Sequence, residues 1–139
     1  RDEKKILPKM QLLFYPVTDL QLKKDSIEEC AEGFFLTKDG MVWFRKHYLN
    51  KLEEMLNPLV SPLLSEDLSA LPPAIVSTAG FDPLRDEGDE YAEKLLSSGN
   101  KVFHQENDGF IHGFATMSYI PGVTKVLDEI CLNLKKMMN

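Results

Sequence analysis

A chain of 139 residues with 43% hydrophobic and 27% charged residues has the composition of an ordinary globular protein and the length of one domain, enough to bury roughly two-thirds of the surface its unfolded form exposes. A formal net charge of -6, with lysine pairs that are short and separated (4–5, 23–24, 135–136), excludes a nucleic-acid surface, which needs clustered cations to neutralise phosphates. No apolar run approaches the ~20 residues that span a bilayer. Cys30 and Cys131 match no metal-ligand spacing. With no signal-peptide-like apolar region at the start, they are expected to be reduced thiols in a cytoplasmic protein.

The chain opens on "RDEKKILPK", charged and without an initiator Met, which reads as the middle of something longer. "MQLLFYPV" at 10–17 is a nearly continuous apolar run followed by the turn residues Thr18 and Asp19, the pattern of a strand covered on both faces. The stretch 20–60 is too long for a connector between sheet strands and is expected to form a cap or lid. In it Thr37 N-caps a helix on which Met41, Phe44, Tyr48 and Leu52 line one face, with Phe34, Phe35 and Trp43 adding apolar bulk nearby.

Pro72-Pro73 introduces a second strand, "AIVSTAG" at 74–80. Leu84, Tyr91, Ala92, Leu95 and Leu96 then recur at helical spacing, and Ser98-Gly99-Asn100 ends that helix as a left-handed C-cap would. A third, weaker strand is "KVFHQE" at 101–106. Val123, Val126, Leu127, Ile130, Cys131, Leu134, Met137 and Met138 form the stripe of a final amphipathic helix, with Lys135 and Lys136 where its dipole favours cations. Strand, helix, strand, loop, helix predicts an α/β domain: a parallel sheet with helices on its faces.

Two residues stand at the carboxyl ends of these strands, where open α/β sheets gather reactive groups. Asp82 follows the second strand almost immediately, and His112, between Gly109 and Gly113 in "NDGFIHGF", follows the third. A histidine that takes a hydroxyl proton, with a carboxylate fixing its tautomer, is the machinery of nucleophilic acyl transfer. In α/β-hydrolases the chain order is serine, acid, histidine. Each residue also fits a structural role: Asp82 as the N-cap of a helix with Pro83 at its first position, and His112 as a satisfied histidine between Phe110 and Phe114. Asp86, Glu87, Asp89 and Glu90 read as a solvated first turn favoured by the helix dipole rather than a metal site. His47 and His104 are expected to be structural.

Together "LLFYPVTDL", "AEGFFLTKDGMVWF", "NPLVSPLLSEDLSALPPAIVSTAGFDPLRDEGDEYAEKL" and "NDGFIHGF" resemble the C-terminal half of the hormone-sensitive-lipase-like esterases of the α/β-hydrolase fold, from about residue 7 to the last helix. The resemblance implies that Asp82 is the triad acid and His112 the triad base. It also places Phe34, Phe35, Leu36 and Trp43 near the acyl-binding side. The family's Gly-Asp-Ser-Ala-Gly elbow and His-Gly-Gly-Gly oxyanion stretch are not in this sequence, and none of the serines at 26, 61, 65, 69, 77, 97, 98 and 118 has a Gly-x-Ser-x-Gly setting.

The expected protein is therefore a single partial α/β-hydrolase domain over 1–139, with a cap at 20–60. It supplies acid and base to a carboxylic ester hydrolase whose N-terminal half is the missing partner, acts on a small acyl ester, and uses no cofactor or metal. The isolated chain is expected to be inactive. The alternative is a non-catalytic folding or dimerisation module built on the third strand and final helix. A third reading is a flavodoxin-like domain binding Mg²⁺ through the acidic cluster at 82–90.

Overall fold

Three parallel strands carry the core, in the spatial order β1 (Gln11–Phe14), β2 (Ala74–Phe81) and β3 (Val102–Ile111), in a computed structural model that describes residues 6–138. Between β1 and β2 lie α1 (Asp25–Glu29), α2 (Lys38–Tyr48) and two short 3-10 turns at Leu52–Leu56 and Pro62–Leu64. Helix α3 (Arg85–Ser97) joins β2 to β3, and a 3-10 turn at Phe114–Thr116 leads to α4 (Val123–Met138). Parallel neighbours joined through helices follow from the predicted rhythm.

The middle strand is buried on both faces, and its alternation divides the core in two. Ala74 and Val76 pack with Tyr91, Ala92 and Leu95 of α3, whereas Ala79 packs with Phe114 and with Val123, Val126 and Leu127 of α4. A third cluster, Ile27, Met41 and Leu84, ties α1 and α2 to the start of α3. The end of α3 closes as predicted: Gly99 has φ 84°, its N–H donates to Leu96 O at 3.0 Å, and Asn100 N–H donates to Leu95 O at 3.2 Å. These are the paired bonds of a Schellman cap. Thr37 likewise caps α2, its Oγ1 accepting from Gly40 N–H at 3.0 Å.

Several expectations change. Strand β1 is short and not covered on both faces: it lies at an edge of the described sheet, and Leu12 is 43% exposed. Helix α2 ends at Tyr48, so Leu52 falls in a 3-10 turn, and of the predicted stripe only Met41 is buried while Phe44, Tyr48 and Leu52 stay more than half exposed. On α3 Leu96 is exposed, and on α4 only Val123 and Ile130 are fully buried, with Cys131 exposed.

Strand β3 runs past residue 106 to Ile111, through a register irregularity opposite Ala79 to Phe81. There the backbones close so tightly that a Cβ on Gly80 would lie 2.3 Å from Asp108 O. Asn107 secures the same place, its buried amide donating to Thr78 O at 2.7 Å and Ser77 Oγ at 3.0 Å. Gly80→Ala is therefore expected to destabilise the protein by roughly 2 kcal/mol, because backbone rather than a flexible side chain must give way. A urea midpoint equal to that of the wild type would refute this.

Candidate active site

Register places the two candidate residues. Phe81 is the partner of Ile111 across the end of the sheet, so Asp82 and His112 are each the next residue beyond a matched pair. The side chains meet, with His112 Nδ1 2.9 Å from Asp82 Oδ2. Asp82 is 0% exposed, and its other oxygen, Oδ1, accepts the N–H of Leu84 at 2.9 Å.

Asp82 is thus not the N-cap of α3, as the capping alternative required; the helix begins at Arg85 and Leu84 is its cap residue. The carboxylate instead makes an Asx-type bond two residues on, which locks one oxygen to its own turn and leaves the other for the histidine. A carboxylate accepting from Nδ1–H puts the imidazole lone pair on Nε2, and Nε2 has no hydrogen-bond partner among the described residues. The His112 side chain is 22% exposed. Gly113, with φ 81°, provides the left-handed turn that starts the 3-10 segment after the histidine.

Beside His112 is an apolar cavity of about 160 Å³, walled by Val17 and Leu20 after β1, by Leu36, Met41 and Phe44 around α2, and by Leu84. Leu36 is thus brought to the site. The Phe35 ring lies close to Gly113, 3.4 Å from where a Cβ there would be. Phe34 stacks on Phe81 with centroids 5.1 Å apart. Trp43 is not part of the cavity wall; it stacks on His47 at 4.0 Å and meets Phe44 edge-on at 5.2 Å. A second cavity of about 320 Å³ shares Val17, Leu20 and Phe44 and continues past Tyr48.

Two residues of this region are not marked by the sequence pattern. Tyr15, just after β1, lays its ring against the imidazole, with centroids 4.5 Å apart. Glu87, expected to be solvated, is 0% exposed. Its Oε1 accepts Thr18 N–H at 2.6 Å and Asp19 N–H at 3.0 Å, while its own carbonyl accepts from Thr18 Oγ1 at 2.8 Å. The carboxylate therefore pins the segment between cavity residues Val17 and Leu20 to the helix that follows the acid. Burial, with the nearby charges of Asp19 and Asp82, pushes its pKa up to about 7 against the pull of the two amides.

The rest of the acidic turn is also engaged rather than merely solvated. Asp86 accepts Ser26 N–H at 2.8 Å and pairs with Arg85 at 2.8 Å. Asp89 meets His104 Nε2 at 3.0 Å, and Glu90 pairs with Lys24. No group of three or more His, Cys, Asp or Glu side chains able to hold a metal occurs among the described residues. Likewise, no helix among them is long and apolar enough to cross a membrane.

A family model for the alpha/beta hydrolase fold matches residues 1–116. The chain belongs to this α/β-hydrolase family. It is 40% identical over 116 residues to the carboxylic ester hydrolase LipN of Mycobacterium tuberculosis, a match covering 83% of this chain and 31% of LipN. With an arylesterase of Saccharolobus solfataricus it shares 40% identity over 105 residues, 75% of this chain and 34% of the arylesterase. The structure of a thermostable esterase from Pseudomonas putida ECU1011 superposes with a TM-score of 0.93 at 35% identity, covering 99% of this chain and 45% of that one. The resemblance to hormone-sensitive-lipase-like esterases therefore stands. This α/β-hydrolase chain spans about a third of the length of these two curated relatives.

Proposed function

We propose that the chain supplies the acid, the base and part of the acyl-binding wall of a serine carboxylic ester hydrolase. The observation that carries this reading is the 2.9 Å bond from His112 Nδ1 to the buried Asp82, which leaves Nε2 as the basic nitrogen next to an apolar cavity. Nε2 takes the proton of a serine hydroxyl as that oxygen attacks the ester carbonyl, and Asp82 balances the imidazolium. His112 then returns the proton to the leaving alcohol, and in the second half-reaction deprotonates the water that releases the acid.

The nucleophile comes from elsewhere. None of the chain's serines sits in a nucleophile-elbow motif, and Ser26 and Ser77 are fully buried and hydrogen-bonded. A companion segment carrying the elbow and the oxyanion donors completes the site, and the open edge of β1, with Leu12 exposed, is where its strand pairs. Residues 20–60 act as the cap. In it Leu36 forms acyl wall together with Met41 and Phe44, Phe35 flanks the histidine turn at Gly113, and Phe34 and Trp43 brace the cap.

Co-expression with a segment bearing Gly-x-Ser-x-Gly and His-Gly-Gly-Gly motifs is expected to produce hydrolysis of p-nitrophenyl acetate that the chain alone lacks. His112→Ala in that pair is expected to reduce kcat by at least about 10³-fold. Undiminished hydrolysis by the variant would remove His112 from the reaction.

A further inference from the structure

Tyr15 has an unusual conformation for a residue so close to a proton-transfer centre. Its φ is 38°, in the left-handed region that strains any residue with a Cβ. The strained backbone is held by the bond from its N–H to Ser77 O at 2.7 Å. The result is a ring centroid 4.5 Å from that of His112 at an interplanar angle of 55°, with the edge of Phe114 behind it at 5.7 Å. Strain that persists at such a place is held by its surroundings, and here it sets an aromatic ring, tilted, against the imidazole.

We propose that Tyr15 is a positioning residue for His112, whose ring face holds the imidazole in line with Asp82 and stabilises the imidazolium when Nε2 carries a proton. A cation within about 6 Å of an aromatic centroid is attracted by the ring's quadrupole, and more strongly where water is excluded. The phenol itself stays neutral, since burial and the Asp82 charge both raise its pKa above the usual 10. The ionisable groups against the imidazole are Asp82, bonded to Nδ1, and Tyr15; Glu87 feels the charges of Asp82 and Asp19. The role deepens the ester hydrolase reading and rests on it only for the purpose the proton serves.

The test needs no hydrolysis. The His112 ring protons of the full chain are followed by NMR across the pH range in wild type, Tyr15→Leu and Tyr15→Phe. Leucine fills the space and inherits the same backbone without a π face, so the His112 midpoint is expected to fall by about one pH unit. Phenylalanine keeps the face and is expected to keep the wild-type midpoint. A leucine variant that titrates at or above the wild-type value overturns the proposal.

Should Tyr15→Leu not fold, the wild type decides. The Tyr15 ring signals are expected to shift with the His112 midpoint, and signals that stay still there overturn it equally. Both titrations can be measured on a chain that never hydrolyses an ester in any pairing, so the role of Tyr15 and the ester hydrolase reading fail separately.

Discussion

Asp82→Asn is expected to leave the fold in place while lowering kcat of the reconstituted hydrolase by about 10⁴-fold, with little change in KM. The two oxygens of the carboxylate have separate duties: Oδ1 accepts the N–H of Leu84, and Oδ2 faces His112 Nδ1 at 2.9 Å. An asparagine oxygen can take over the first bond, so the turn into α3 survives and stability should stay within about 1 kcal/mol of the wild type. At the second position the amide nitrogen is a donor. It demands a lone pair on Nδ1 and so drives the imidazole proton onto Nε2, the nitrogen that must be empty to act as base. The charge that would balance the imidazolium is lost as well. Asp82→Ala removes both bonds and confounds the roles, which makes the amide the informative change. Activity within tenfold of the wild type, in a protein of unchanged stability, would show that Asp82 does not set the tautomer.

That Asp82 and His112 come to one edge of the sheet is legible in the sequence because each comes after a strand, Asp82 almost immediately after "AIVSTAG" and His112 in the stretch after "KVFHQE". The C-cap at Gly99 and the Thr37 cap are legible because the residues that make them are neighbours. Strand β3 looks shorter in the sequence than it is because Asn107, Asp108 and Gly109 have turn chemistry; what holds them in the strand is β2, nearly thirty residues away, through the tight approach of Gly80 to Asp108 and the bonds of the Asn107 amide to Ser77 and Thr78. Periodicity finds the α2 stripe but says nothing of what covers it, and Phe44 and Tyr48 prove to be exposed. Tyr15 and Glu87 leave no local mark at all. A carboxylate among Asp86, Asp89 and Glu90 on a first helical turn looks solvated until a loop from 69 residues earlier docks its amides onto it.

That docking makes Glu87 the source of an inverted pH dependence. Its folded pKa of about 7 lies above the ordinary glutamate value of 4.5, chiefly because burial disfavours the charged form. Between those two values the folded protein retains a proton that the unfolded chain releases, so this group's contribution to stability falls as pH rises through the window and is fully lost above pH 7. Most buried carboxylates with cationic partners do the opposite. At 1.36 kcal/mol per unit the shift amounts to about 3 kcal/mol.

Glutamine at 87 keeps an oxygen for the amides of Thr18 and Asp19 and cannot ionise, and its nitrogen takes the place of Oε2, which has no partner. Near pH 4.5, where the wild-type carboxyl is protonated, Glu87→Gln is expected to be close to neutral. By pH 8 it should be more stable than the wild type by about 3 kcal/mol, because the charge it lacks is one the interior must otherwise hold beside Asp19 and Asp82. Urea unfolding of the two proteins at matched pH values measures that difference directly. A free-energy gap that stays constant from pH 4.5 to 8 would mean that Glu87 titrates as a solvated carboxylate and that the Thr18–Asp19 loop is held by something else.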